Sequence, residues 1–330
     1  MEICTIIAKN YLPSARVLGA SLREHHPDVR FTVLVIDEQE GYIDAAAEPF
    51  DVIGPDAIGL PQFPLMAAMY EILELSTAVK PWLLRTLLER DGEGVIYLDP
   101  DMRLFEPLDE VFAAVRAHGV VLNPHAPAPM PRDGRKPSEQ DILIAGAYNL
   151  GFLGLGAGDA ATFVLDWWSE RLEMDCIVDP EKGFFVDQRW IDLVPGMVGD
   201  VHLIRDPGFN VAYWNLPART VAERGGAVTV DGSPLKLFHF SGYKPGRPHE
   251  LSTHQNRIRL ADEPVLARLC DEYAQALRAA GYVEASKWPY SYAATASGIP
   301  LDRILRRLLR EGVEAGEVTR APFDEEGERA

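Results

Sequence analysis

Four apolar residues, Val95-Ile96-Tyr97-Leu98, run between Gly94 and the triplet Asp99-Pro100-Asp101, and no other stretch restricts the architecture as much. A short continuous apolar run bounded by turn residues is the pattern of a strand buried on both faces, as in the middle of a parallel sheet. In an open α/β sheet, ligands bind beyond the carboxyl ends of the strands, which is where Asp99 and Asp101 stand. On an extended backbone, residues two apart project to the same side, and Pro100 fixes its own φ between them. Two carboxylates converging on one point can hold a divalent cation. The same residue types also make an ordinary polar turn, so the stretch taken alone supports both readings.

The chain around this strand alternates between strand and helix patterns. Residues 3–8 form a short apolar strand, and residues 12–25 carry apolar positions at helical spacing with Pro13 in the first turn. Residues 31–36 form a second buried strand ending at Asp37-Glu38. Strand, helix, strand is a parallel βαβ unit with a right-handed crossover. Residues 51–53 read as a third strand and 63–88 as one or two helices broken at Pro81. After the central strand, 111–117 reads as helix, 119–122 as strand, 147–155 as a glycine-interleaved strand, and 162–174 as an amphipathic helix with Trp167 and Trp168. Residues 183–193 read as turn and helix, and 200–204 as a short strand. Five prolines between Pro124 and Pro137 exclude regular structure there, so this long loop is either functional or disordered. Residues 228–240 read as a hairpin around Asp231-Gly232, and helices are expected from Pro264 to Ala280 and over 301–309. The glutamate-rich end, 313–330, has too little apolar content for a core and is expected to be disordered.

Composition excludes several function classes. With 50 Asp and Glu against 32 Lys and Arg, the chain carries a formal charge of −18. It lacks the basic surface a nucleic-acid partner requires and a broad polybasic face for anionic lipid. An acidic protein that handles an anionic substrate must reverse its own field locally, with a metal or with placed Lys and Arg. Cys4, Cys176 and Cys270 are far apart and odd in number, which gives neither metal-ligand spacing nor a disulfide framework and fits a reducing compartment. No leader-like segment opens the chain and no run approaches the ~18 apolar residues of a membrane span. The expectation is a cytoplasmic protein without a transmembrane segment, touching a membrane surface at most transiently.

Two further constellations bear on chemistry. His239 lies in the apolar run Leu237-Phe238-His239-Phe240 and precedes Ser241-Gly242-Tyr243-Lys244. A lone strand histidine is ordinarily a satisfied core residue. Beside a glycine loop whose backbone N–H groups and one ammonium suit a diphosphate, it can complete a metal site. Asp187-Gln188 opens a helix pattern and, taken alone, reads as a cap.

Asn10-Tyr11 after the first strand, Asp99-Pro100-Asp101, Asn149-Leu150-Gly151, Asp187-Gln188 and His239 to Pro245 occur in the order found in GT-A glycosyltransferases. The chain most resembles the family-8-type retaining enzymes, which include glycogenin and the lipopolysaccharide galactosyltransferases. The segments 210–216 and 238–242 resemble a bacterial subgroup associated with surface-polysaccharide biosynthesis. The resemblance covers roughly residues 1–260 and implies a GT-A, Rossmann-like α/β fold: a mixed, mostly parallel sheet flanked by helices. Helices at 261–312 would pack on that domain, followed by the acidic 313–330 tail.

The resemblance also implies roles. Asp99, Asp101 and His239 would bind Mn²⁺ or Mg²⁺ at the diphosphate of a nucleotide-sugar, UDP-sugar being the expected donor. Two carboxylates with one imidazole suit Mn²⁺ somewhat better. Gly242 and Lys244 would hold outer phosphate oxygens. Ala8, Asn10 and Tyr11 would line the nucleoside pocket, and Lys80 would stand near the donor. Asn149, Asp187 and Gln188 would face the transferred sugar, with Asp187 as nucleophile or ion-pair stabiliser. The acceptor would be a glycan or a lipid-linked sugar, with Tyr213-Trp214 as a ligand wall. Lys9 departs from the family, which has an acidic or neutral residue there.

The charge balance agrees with a cation. Two carboxylates within ~4 Å of a diphosphate repel it by several kcal/mol per pair at an effective dielectric constant of ~20. Two other classes also accommodate these residues: a haloacid-dehalogenase-like phosphatase, which uses an Asp-x-Asp after its first strand rather than this far into the chain, and a catalytically silent nucleotide-sugar-binding protein.

Overall fold

The computed structural model describes residues 1–329. It opens with β1 (Glu2–Ile7), α1 (Leu12–His25), β2 (Arg30–Val35) and β3 (Asp51–Ile53). Helices α2 (Phe63–Met69), α3 (Ile72–Ala78) and α4 (Lys80–Asp91) lead into β4 (Gly94–Leu98), followed by β5 (Met102–Leu104), α5 (Asp109–Ala117) and β6 (Val120–Leu122). Then come α6 (Glu139–Ala145), β7 (Phe152–Gly156), α7 (Asp159–Asp175), a small pair β8 (Val178–Asp179) and β9 (Phe184–Phe185), α8 (Gln188–Ile191), α9 (Val194–Met197) and β10 (Val201–Leu203). The remainder holds β11 (Val221–Arg224), β12 (Ala227–Val230), β13 (Ser233–Pro234), β14 (Leu237–His239), α10 (Pro264–Ala279), α11 (Tyr282–Ala285), α12 (Arg303–Glu314) and α13 (Glu325–Arg329).

Seven strands form the main sheet in the order β10-β6-β7-β4-β1-β2-β3. All neighbours are parallel except at β7, which runs antiparallel to β4 and β6. This is the expected mixed, mostly parallel sheet flanked by helices. The apolar runs of β1 and β4 explain it, because successive side chains serve opposite faces. Cys4, Ile6, Val95 and Tyr97 pack with α4 and α7, while Ile3, Ile7, Ile96 and Leu98 pack with α1 and α5. Both faces of β4 are covered, and β4 lies in the centre of the sheet.

Three local expectations need correction, and the alternatives left open for the proline-rich loop are narrowed. The helical segment 63–88 is interrupted at Tyr70-Glu71 and at Val79 rather than at Pro81, which occupies the first turn of α4, where its missing N–H costs nothing. The Asp231-Gly232 turn joins β12 only to the two-residue β13, and β12 pairs on its other side with β11. Leu237–His239 leaves that hairpin and pairs antiparallel with β5. The proline-rich loop is fixed. Arg257 donates to the carbonyls of Pro131, Arg135 and Pro137 and to the Asp133 carboxylate at 2.6–3.2 Å. The acidic end carries contacts too: Glu328 accepts from Ser297 N at 2.9 Å, and Phe323 packs on Tyr292 with ring centroids 4.8 Å apart.

The helices after residue 260 are held by both apolar and charged groups. α10 contributes Leu266, Leu269, Tyr273 and Leu277 to a core shared with Phe238 and Phe240. α12 turns its arginines inward: Arg307 pairs with Glu74, and Arg310 pairs with Asp175, each at 2.5 Å. Arg306 is buried and donates to the carbonyls of Ala67, Ala68, Tyr70, Tyr292 and Leu301, so its charge caps the C-terminal end of α2. Arg306→Met is expected to lower the unfolding free energy by about 2–3 kcal/mol, because several buried carbonyls lose their donor. The measurement is the urea midpoint at unchanged slope. No helix among the described residues is long and apolar enough to cross a membrane.

Candidate functional site

The carboxyl end of β4 turns sharply. Met102 N donates to Asp99 O at 3.2 Å, and Asp99 N is held by Gly151 O at 2.8 Å. Asp99-Pro100-Asp101 is therefore a tight turn rather than the extended segment expected from the sequence. The polar-turn reading is borne out, and the turn still lets both carboxylates face His239. β5 leaves this turn and pairs with β14 in the register His239↔Met102, with Phe240 N donating to Asp101 O at 2.9 Å. That pairing carries the imidazole to the carboxylates. His239 Nε2 lies 2.9 Å from Asp101 Oδ1 and 3.6 Å from Asp99 Oδ2. One ligand atom from each of the three residues falls within 4.8 Å of the others.

The surroundings fit a cation. A Cβ at Gly151 would lie 2.5 Å from His239 Cε1 and 2.8 Å from Asp99 Oδ2, so only glycine leaves the ligands their space. Both carboxylates remain about a quarter exposed, whereas His239 is buried with its Nδ1 unpartnered. Burial alone would lower the His239 pKa, but Asp101 and Asp99 outweigh it and hold it above the ordinary value. With its pKa raised, the imidazole's contribution to stability is present at low pH and lost as pH rises through its folded-state pKa. A divalent cation bound by His239 would compete with its proton. Below that pKa, affinity for a divalent cation is expected to rise about tenfold per pH unit, with release of about one proton. Calorimetry in buffers of different ionisation enthalpy measures that release, which His239→Ala should abolish.

Beside the cluster opens a cavity of 690 Å³, whose walls include Asp99, His239, Lys80, Asp187, Asn149 and Trp214. Lys80, the first residue of α4, is buried with Nζ 2.8 Å from Asp187 Oδ2, 2.8 Å from Leu150 O and 4.3 Å from the centre of the Tyr97 ring. Tyr97 in turn donates to Asp99 Oδ1 at 2.8 Å. Burial raises the Asp187 pKa, and Lys80 opposes the rise. Val186 precedes Asp187 at φ 44°, a strained backbone for a β-branched residue.

The sequence-predicted residues do not all meet there. Asp99, His239, Lys80, Asn149, Asp187 and Gln188 line the cavity, whereas Asp101, Ala8, Asn10, Tyr11, Gly242 and Lys244 do not. Ala8 is buried at the end of β1, and Tyr11 is half exposed, close enough for the charge of Asp101 to help raise its pKa behind the larger effect of burial. Gly242 has φ 72°, and a Cβ there would strike Ser252 Oγ and His254 at 2.5–2.6 Å. Lys244 is exposed. Gln188 spends its amide on the backbone, accepting from Leu150 N at 3.0 Å and donating to Ala145 O at 2.8 Å. Lys9 is buried, with Nζ 2.7 Å from Ser291 Oγ and 3.5 Å from Asp37.

Three contributors were not assigned a role from sequence: Tyr97, Gly151 and His125. Tyr97 stands two before Asp99, the same-side spacing on a strand, and Gly151 completes a triplet from which only Asn149 was chosen. His125, inside the proline-rich loop, faces Gly146 O at 2.8 Å and Asn149 Nδ2 at 3.2 Å. Burial lowers its pKa to about 4, so it stays neutral. Asn149 also accepts from Asn210 Nδ2 at 2.9 Å, and Trp214 stands edge-on to both His125 and His239.

No family model matches the chain. Two uncharacterized proteins of Bacillus subtilis (strain 168) are similar in sequence. YfnF is 27% identical over 274 residues, covering 82% of this chain and 90% of YfnF, and YfnD is 26% identical over 246 residues, covering 72% and 76%. Among solved structures, the galactosyltransferase LgtC in complex with donor and acceptor sugar analogs aligns over 84% of this chain and 96% of its own, with 17% identity and a TM-score of 0.46.

Proposed function

We propose that the chain is a metal-dependent glycosyltransferase that moves a sugar from a nucleotide-diphosphate-sugar, UDP-sugar being the expected donor, to a glycan or lipid-linked acceptor. The observation that carries this reading is the meeting of Asp99, Asp101 and His239 beyond the central strand, at the edge of a cavity that can enclose a sugar. Such a position beyond the carboxyl ends of the strands is where open α/β sheets bind ligands. The three side chains suit Mn²⁺ or Mg²⁺, which when bound would act as a Lewis acid toward a leaving diphosphate.

The chain's own residues divide the remaining work. Tyr97 holds Asp99 in place, and Gly151 leaves room beside it. Lys80 neutralises Asp187 and fixes its carboxylate at the cavity wall. Asp187 is proposed as nucleophile or as the stabiliser of positive charge at the anomeric carbon. Gln188, bonded at both ends, positions the Leu150 and Ala145 backbones around the sugar space. In the proposed retaining step, the bond from the anomeric carbon to the diphosphate breaks. The acceptor oxygen bonds to the same face, and its proton passes to the departing phosphate oxygen. No strong side-chain base is required. Ala8, Asn10 and Tyr11 are proposed for the nucleoside, and Gly242 and Lys244 for the phosphates.

A thermal-shift panel of UDP-, GDP- and dTDP-sugars, with and without Mn²⁺, tests the proposal. Donor at about 100 times its dissociation constant is expected to stabilise the fold by about 2.7 kcal/mol, and only with the cation present. Equal stabilisation without cation, or none from any nucleotide, overturns it.

A further inference from the structure

Part of the cavity wall is aliphatic and open to solvent, on a chain whose formal charge is −18. α6 ends in Ile142-Leu143-Ile144-Ala145, yet none of its residues is buried. Leu143 is 68% exposed and Ile144 47%, and Leu73 of α3 is 53% exposed. Leu73, Ile142 and Ile144 also line the cavity, so the exposed aliphatic surface continues its wall. Consecutive exposed aliphatic residues are unusual on a soluble surface and mark a place of contact. The helix is also held in position. Ser138 and Asp141 form a capping box at its start, and Arg257 clamps the loop that precedes it.

We propose that the acceptor is an amphiphile, with a hydroxyl-bearing head in the cavity and an apolar tail resting on Leu73, Leu143 and Ile144. This rests on the glycosyltransferase reading and gives its acceptor a chemical class. A purely polar glycan would leave these side chains in water, whereas each methylene buried against them strengthens association about fourfold. The occupant is the acceptor's own tail rather than an anionic bilayer, which the negative charge of the chain opposes.

The test uses the full chain with labelled Ile and Leu methyl groups, loaded with Mn²⁺ and UDP. It is titrated with octyl β-D-glucopyranoside below its micelle concentration, and separately with methyl β-D-glucopyranoside. The octyl glycoside is expected to shift the Leu73, Leu143 and Ile144 methyl resonances and to bind at least ten times more tightly than the methyl glycoside. The triple variant Leu73→Ser, Leu143→Ser, Ile144→Ser should lose that advantage while keeping its Mn²⁺-dependent thermal shift with UDP. None of the three side chains belongs to the buried core, and the retained UDP shift checks that the variant is folded. Equal affinity for the two glycosides, or shifts confined to other methyl groups such as those of Ile304 and Leu308, overturns the proposal. So does a response of the three residues to phosphatidylcholine vesicles but not to the octyl glycoside. Absence of Mn²⁺-dependent UDP binding in the unmodified chain would instead remove the glycosyltransferase reading beneath it.

Discussion

Asp101→Asn is expected to abolish Mn²⁺-dependent stabilisation by a nucleotide-sugar while leaving the fold intact. Asp101 provides the shorter contact to His239, at 2.9 Å against 3.6 Å for Asp99, so the substitution removes a ligand charge and the main partner of the imidazole. Changes to groups that merely orient a metal ligand cost 10–100-fold in affinity, and loss of a charged ligand should cost at least about 100-fold. The His239 pKa should fall toward its ordinary value, because the larger of the two forces raising it is gone. Two measurements check this: Mn²⁺ titration by calorimetry, and NMR titration of the His239 ring without metal. Metal-dependent donor binding of undiminished strength in the variant would rule out Asp101 as a ligand.

Lys80→Met carries the largest expected stability effect. The ammonium is buried between Asp187 and the Leu150 carbonyl, and methionine keeps much of the stem volume without the charge. Breaking a buried pair from one side costs about 3–5 kcal/mol, because the other charge is left uncompensated. Asp187 already sits above its ordinary pKa through burial, and loss of Lys80 raises it further. A carboxyl whose folded-state pKa exceeds its unfolded one gains stability as pH falls through that value, so the deficit should shrink on acidification. Adding Asp187→Leu should restore much of the stability at neutral pH without restoring sugar transfer. Denaturant melts at two pH values separate these outcomes. A single-variant cost below about 1 kcal/mol would mean that Asp187 is not held ionised by Lys80.

What could be read from the residues follows from the range of the forces involved. The runs 3–8 and 94–98 could be placed because a strand covered on both faces needs an unbroken apolar sequence, which is local information. Likewise α1 and α10 announce themselves by apolar spacing and by prolines at their starts. The pairing of β14 with β5 is different, because partners this distant leave no mark in either segment, and the Asp231-Gly232 turn invited a nearer partner. The Lys80–Asp187 pair was hidden in the same way, although both residues had been singled out separately. The proline-rich loop looks irregular and is irregular; it is held by remote partners, Arg257 and Asn256. Glu328 and Phe323 anchor a tail whose composition alone gives no reason to fold.

The antiparallel pairing of β5 with β14 has a consequence for the life of the chain. Asp99 and Asp101 leave the ribosome long before His239, and the strand that delivers the imidazole follows later still than the helices of the first half. A chain that stops before residue 239 therefore lacks the imidazole, however well its opening βαβ unit has formed. A divalent-cation site built from these three side chains can close only after the chain has passed residue 239, and a shorter fragment would offer two carboxylates alone.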